Sequence, residues 1–215
     1  GAVFALCAKN DITGADGKVI LKADTVIEEL ATDKEGKLTF TADLPIGFAY
    51  YIKETSPAPG FATTDETQEF TFEYGGAEKE KVSYAFTFED EPTVIEITKT
   101  SLTDGKELEG AKLQVTDESG KVVDSWTSGK EAHIIKELVV GQKYTLTETK
   151  PADGYVTAES ITFTVEDTAK PQKIEMKDDV TKVQISKTDI TGDTEIPGAK
   201  LTILDKDDQV VESWT

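Results

Sequence analysis

The sequence predicts an all-β protein built from tandem sandwich domains, on three observations. Residues 94–127, VIEITKTSLTDGKELEGAKLQVTDESGKVVDSWT, align without a gap with residues 182–215, KVQISKTDITGDTEIPGAKLTILDKDDQVVESWT, at a spacing of 88 residues (94 to 182). That spacing is the length of a domain, not of a solenoid repeat. Between turn signals the chain runs in short stretches where apolar and polar residues alternate, the period of a half-buried strand. The turns come at regular intervals, as at Thr103-Asp104-Gly105, Glu118-Ser119-Gly120, Ser128-Gly129 and Pro151–Gly154, and no helical period intervenes.

The repeat sets the expected boundaries at 1–92, 93–180 and 181–215. Gly1-Ala2-Val3-Phe4 matches Gly110-Ala111-Lys112-Leu113 and Gly198-Ala199-Lys200-Leu201. The first unit therefore lacks the strand that precedes this point in the other two, and the third is only a beginning. The chain reads as a window from a longer array. In the first unit, strands are expected at 2–8, over 18–30 with a short helical turn, at 37–41, 49–54, 68–74 and 82–90. The turn at 11–17, LPIGF (44–48) and PAPGF (57–61) break the runs by their glycines and prolines. In the second unit strands are expected at 94–99, 111–117, 121–127, 132–137, 143–149, 159–166 and 172–178, and in the third at 183–187, 199–205 and 209–214. The joints at 90–93 and 179–181 are too short for flexible linkers, so the array should be semi-rigid.

Composition narrows the function. The net charge of −19 argues against nucleic acid and anionic membrane, which attract basic faces. All 23 basic residues are lysine, so the bidentate clamps that arginine provides for phosphate are missing. No stretch is long and apolar enough to span a membrane. The single cysteine, Cys7, cannot form a disulfide within the chain and reads as structural.

The chemistry lies in three apolar rows that each end in an ionisable residue. Side chains alternate faces along a strand. Ile95, Ile97 and Lys99 therefore share a face, as do Tyr144, Leu146 and Glu148, and Ile174, Met176 and Asp178. The first unit has two such rows, Tyr50-Ile52-Glu54 and Phe86-Phe88-Asp90; the third has Val183-Ile185-Lys187. Unpaired buried charge is costly, so these groups must pair or neutralise. Burial favours a neutral amine and a protonated acid, which makes a nucleophile beside an electrophile. Lys99 attacking Asp178, with Glu148 shuttling protons, would give an amide and release water. A buried ion-pair cluster without chemistry is the alternative reading.

These residues sit in a specific context. ITKT (97–100), GAKLQV (110–115), YTLTETKPADGY (144–155) and KIEMKD (173–178) resemble CnaB-type domains of Gram-positive surface proteins, which are SpaA pilin-like, prealbumin-like and inverse Ig-like sandwiches. The order Lys, then Glu ahead of a Pro-Ala-x-Gly-aromatic loop, then Asp is more specific than any one motif. The resemblance implies a stalk or backbone module of an adhesin or pilin at the bacterial cell wall, held by an intramolecular isopeptide bond. It implies Lys99 and Asp178 as the linked pair and Glu148 as the assisting acid. Glu54 and Asp90 would be the corresponding acids of the first unit and Lys187 the nucleophile of the third. Asp at the acceptor, where the family often has Asn, makes water the leaving molecule. The expected partners are neighbouring repeats, with a host matrix or cell-surface protein reached through other parts of the parent protein; no cofactor or metal is implied. No LPxTG-like signal and no YPK-type pilin lysine occur.

Two other classes remain open at this stage. The sandwich loops could bind a host protein or glycan, although no aromatic cluster supports it; Trp126 and Trp214 hold one repeat position and read as packing residues. An enzyme would need a site, and the lone His133 has no nucleophile, base or metal cluster around it. The acidic turn at Asp205–Asp208 lacks the spacing of a calcium loop.

Overall fold

The computed structural model describes residues 1–73, 83–192 and 194–215. Every regular element among them is a strand. Residues Gly1–Val180 make one compact body and Thr181–Thr215 a separate piece.

The first domain of the body contains β1 (Val3–Ala8), β2 (Ile12–Thr13), β3 (Val19–Leu21), β4 (Val26–Ala31), β5 (Ala49–Ser56) and β6 (Thr67–Thr71). One antiparallel sheet runs in the order β4-β1-β5-β6, and β2 pairs with β3. The central strand β1 is apolar on both faces and is buried almost throughout. Cys7 lies inside it, fully buried and unbonded to any other cysteine. The other face of the sheet row, Phe4, Leu6, Tyr50 and Ile52, packs on Phe70, Phe86 and Phe88. The expected helical turn within 18–30 does not form; Asp24, at φ 62°, turns the chain between β3 and β4 instead.

The second domain contains β7 (Val94–Ser101), β8 (Lys112–Asp117), β9 (Val122–Thr127), β10 (His133–Lys136), β11 (Lys143–Lys150), β12 (Ile161–Thr164) and β13 (Gln172–Asp178). Two sheets, β10-β7-β13 and β12-β11-β8-β9, close as a sandwich. The inward residues Ile95, Ile97, Leu113, Val115, Tyr144, Leu146, Phe163, Val165 and Met176 form one core. β13 runs parallel to β7, and the other pairs are antiparallel.

Three expected strands do not form, each for want of a bonded neighbour among the described residues. In the second domain β7 is the middle strand of its sheet, and both β10 and β13 depend on it for ladder bonds. In the first domain no described segment takes the place of β7. Its counterparts of β10 and β13, residues 37–41 and 83–90, alternate in exposure yet join no ladder. Val82, and Tyr74 at the end of the β6 run, lie outside the described residues. In the C-terminal piece, residues 183–187 likewise join no ladder and stay exposed, although the Lys187 carbonyl accepts the Ile196 N–H at 2.7 Å. Alternation creates a strand candidate; backbone hydrogen bonds to a second segment make it a strand.

The two domains meet directly. Thr93 is buried at the joint; its N–H donates to the Gly60 carbonyl at 3.0 Å and its Oγ1 to the Leu138 carbonyl at 2.7 Å. Asp167 accepts from both the N–H and the hydroxyl of Thr63, at 2.8 and 2.7 Å. Gly60 has φ +93°, and a Cβ there would lie 2.9 Å from the Glu137 carbonyl oxygen. Only glycine fits that backbone shape and that approach.

The C-terminal piece is the hairpin β14 (Leu201–Leu204) and β15 (Val210–Trp214). Asp205 Oδ1 accepts from the N–H groups of Asp207 and Gln209, at 2.9 Å each. This acidic turn is thus organised by its own backbone.

Candidate functional site

The site is assembled from both sheets of the second domain. β7 carries Lys99 and its parallel neighbour β13 carries Asp178; β11, in the opposite sheet, carries Glu148. Met176 is opposite Lys99 in the β7–β13 register and Asp178 is opposite Ser101, so lysine and aspartate meet on a diagonal. All three groups are walled in: Lys99 is 2 %, Glu148 4 % and Asp178 1 % exposed. The row arithmetic of the sequence therefore placed each of them on the correct face.

Contacts fix the three side chains together. Lys99 Nζ donates to Asp178 Oδ1 and lies 3.1 Å from Glu148 Oε1. Glu148 is held from behind, where its Oε2 accepts the Ala158 N–H at 2.8 Å. Asp178 Oδ2 is buried and meets no hydrogen-bond partner. The backbone is pinned on both strands: the Lys99 carbonyl accepts from Leu108 N at 2.7 Å and the Asp178 carbonyl from Leu102 N at 2.8 Å. The Ala158 amide was not legible in the sequence, because it reaches Glu148 through the fold of the loop that follows Pro151. The one signal that could have found it is that the same loop motif follows Glu54.

The charge count inside this pocket is uneven, with two carboxyls and one amine. Burial raises the Asp178 pKa above the ordinary carboxyl range; the hydrogen bond and charge of Lys99 oppose this, and the Glu148 charge reinforces it. Desolvation disfavours a second negative charge beside the first. The arrangement can therefore hold an acid proton next to an amine, with a second carboxyl in reach of both.

The first domain brings together the two acids named there. Glu54 is 5 % exposed, and its Oε2 accepts the Thr64 N–H at 2.8 Å, as Glu148 does from Ala158. Burial raises the pKa of Glu54, countered by the Thr64 N–H and reinforced by the charges of Asp90 and Asp167; burial also raises that of Asp90. Both acids thus bind protons more tightly in the folded state than in the unfolded chain. Across the window that opens above about pH 4, the folded state holds more protons, so stability falls as pH rises. Thermal melting of the whole chain should show a first-domain transition at higher temperature near pH 4.5 than near pH 8. Glu54→Gln should flatten that dependence; an unchanged slope would contradict the assignment.

Among the described residues Lys187 is brought to no acid: it is exposed and outside the strands of its own piece. His133 stacks on Trp126 with ring centroids 4.0 Å apart, and its Nε2 lies 2.8 Å from Asp124 Oδ2. That is a packed surface cluster, in keeping with structural roles for Trp126 and His133.

The fold is that of tandem prealbumin-like β-sandwich domains, the second of which encloses a lysine and two carboxyls. The chain belongs to the family described as SpaA, prealbumin-like fold domain, whose model matches residues 1–85 and 93–180. Among solved structures it is similar to the Bacillus anthracis TIE protein, at 26 % identity and a TM-score of 0.54, over 99 % of this chain and 38 % of that one. It thus spans under two fifths of that protein. It also matches the shaft pilin SpaA of Lactobacillus rhamnosus GG, at 16 % identity and TM-score 0.38, covering 86 % of this chain and 89 % of the pilin. A C-terminal fragment of the pilus adhesin SpaC of the same organism matches at 15 % identity and TM-score 0.44, over 86 % of this chain and 90 % of the fragment. No curated protein matches the chain.

Proposed function

We propose that the chain is a load-bearing stalk segment of a Gram-positive surface adhesin or pilin. In this reading its second domain is locked by an amide between Lys99 and Asp178. The observation that carries the reading is the buried contact of Lys99 Nζ with Asp178, with Glu148 Oε1 at 3.1 Å. Family membership supports the structural role.

The chemistry follows from burial. Lys99 attacks Cγ of the protonated Asp178 as a free amine. Glu148 takes a proton from the amine and returns it to the departing oxygen. The Nζ–Cγ bond forms, the Cγ–O bond breaks, and water leaves. The domain reacts with itself once, so the chain is a substrate of its own fold and not an enzyme. The link joins the first and last strands of the domain, where tension along an array enters and leaves it.

Intact mass of the denatured chain tests this. The parent should be lighter than its sequence mass by one water, and Lys99→Ala should show no deficit beyond the substitution itself. Asp178→Asn should instead lose ammonia if the same bond forms. A parent of full sequence mass would reduce the three residues to an ion-pair cluster.

A further inference from the structure

The triad lies near one end of its sandwich, where water ought to reach it. Ile97, Leu146 and Met176 belong to the main core, and Lys99, Glu148 and Asp178 each follow two residues further along the same strand. The strands then run out, β7 at Ser101, β11 at Lys150 and β13 at Asp178 itself. Yet all three groups are buried. Something beyond the strand ends covers them.

A second, small apolar cluster lies there. Leu108, Ala111 and Ala152 are buried in it, and Tyr155 packs against them, half-buried. Leu108 and Ala111 lie in the connection from β7 to β8, and the Leu108 N–H donates to the Lys99 carbonyl at 2.7 Å. Ala152 and Tyr155 belong to the loop that follows β11 and Glu148. That loop is tied to the end of β13: Tyr155 forms an antiparallel bridge with Val180, and the Val156 N–H donates to the Asp179 carbonyl at 2.9 Å. The cluster thus spans the exits of all three strands that carry the triad, and the polar layer is held between it and the main core. Apolar neighbours outside the cluster stay in solvent, Leu102 at 60 % and Val156 at 52 % exposed. The first domain repeats the pattern: Ala2 and Ala58, at the positions of Ala111 and Ala152, pack in its core cluster.

We infer that Leu108, Ala111, Ala152 and Tyr155 form a plug that excludes water from Lys99, Glu148 and Asp178, and that this plug sets the rate at which the Lys99–Asp178 amide forms. The four are positioning residues: they carry no group that reacts and act through the dryness of the site. The inference rests on the cross-linking chemistry of the preceding section and names what controls it.

The physical reason is the location of one proton. In water an amine holds a proton in preference to a carboxyl by roughly six pKa units, and a protonated amine cannot attack. Loss of hydration destabilises the ionised pair and narrows that gap, and each unit gained raises the share of the reactive neutral pair about tenfold. Burial is the largest influence on Asp178 and raises its pKa. A site open to water at the strand ends would lose this effect while keeping the same three residues.

Cell-free synthesis of the full chain, with aliquots denatured and weighed over time, follows the loss of water as it happens. Leu108→Ser and Tyr155→Ser should slow that loss at least about tenfold, the equivalent of one unit of the gap. Tyr155→Phe, which keeps the ring and removes only the hydroxyl, should react at the parental rate. A second measurement needs no variant. The new amide N–H on Lys99 Nζ gives its own NMR signal, which in the linked parent should exchange with D2O orders of magnitude more slowly than an exposed loop amide such as that of Gly129. In Tyr155→Ser the same amide should exchange faster. The parent's exchange rate decides the matter even where a serine variant fails to fold. Serine variants that link at the parental rate, or an unprotected cross-link amide in the parent, would overturn the plug and leave the cross-link standing. A parent of full sequence mass would overturn the cross-link itself, and the plug's role with it.

Discussion

Pulled from its ends in a single-molecule force experiment, the second domain should not lengthen, whereas Lys99→Met should open with a step of roughly 260–280 Å. That figure is the extended length of the chain between the linked residues, which are 79 positions apart. With the proposed amide in place, load would pass from β7 to β13 through that one bond and never reach the core. In the variant the parallel β7–β13 ladder carries the load and yields. Methionine is chosen because its unbranched chain fills the lysine stem's space without leaving a cavity. The thermodynamic counterpart is also large. Removing a link that closes this loop should cost about 4.5 kcal/mol on the loop-entropy view. Denaturant unfolding followed by Trp126 fluorescence, in a Trp214→Phe background, measures it. A full-length opening step in the parent would rule out the cross-link.

Glu148→Gln should slow formation of the bond by roughly 10²–10⁴-fold, the usual contribution of a positioned acid–base group. The amide keeps the shape of the carboxyl, and its oxygen can still accept the Ala158 N–H. Freshly made protein should therefore fold and carry full sequence mass, then lose water slowly on storage. A purely structural role for Glu148 predicts the opposite, with a complete link and a lower melting temperature. Time-resolved intact mass separates the two, because it counts bonds and not stability.

How far these features could be read from the chain depended on the range of the interaction. Lys99, Glu148 and Asp178 were each legible because the face a side chain takes is fixed by position along its own strand. Ile97, Leu146 and Met176 set the buried parity two residues earlier in each row. The strands of the second domain were legible for the same reason, with ends shifted by a residue or two. The Ala158 amide behind Glu148 was not, since it comes from a loop with no periodicity. The joint was legible only as short. That Thr63 reaches Asp167, and that Gly60 must be glycine because Glu137 lies against it, required two segments far apart in sequence.

The sequence by itself determined the repeat, the inward parity of the three rows of the second domain and the identity of the three groups at their ends. All of these are local properties of an alternating chain. Only the tertiary structure decided which copy of the pattern closes into a site. Residues 94–99 and 172–178 become neighbouring strands and bring Lys99 onto Asp178. Residues 37–41, 83–90 and 183–187 have the same alternation and remain outside any ladder. The physical reason is that a strand is completed by hydrogen bonds to another segment, and only in the second domain do the described residues place a strand at the β7 position, between two others that bond to it.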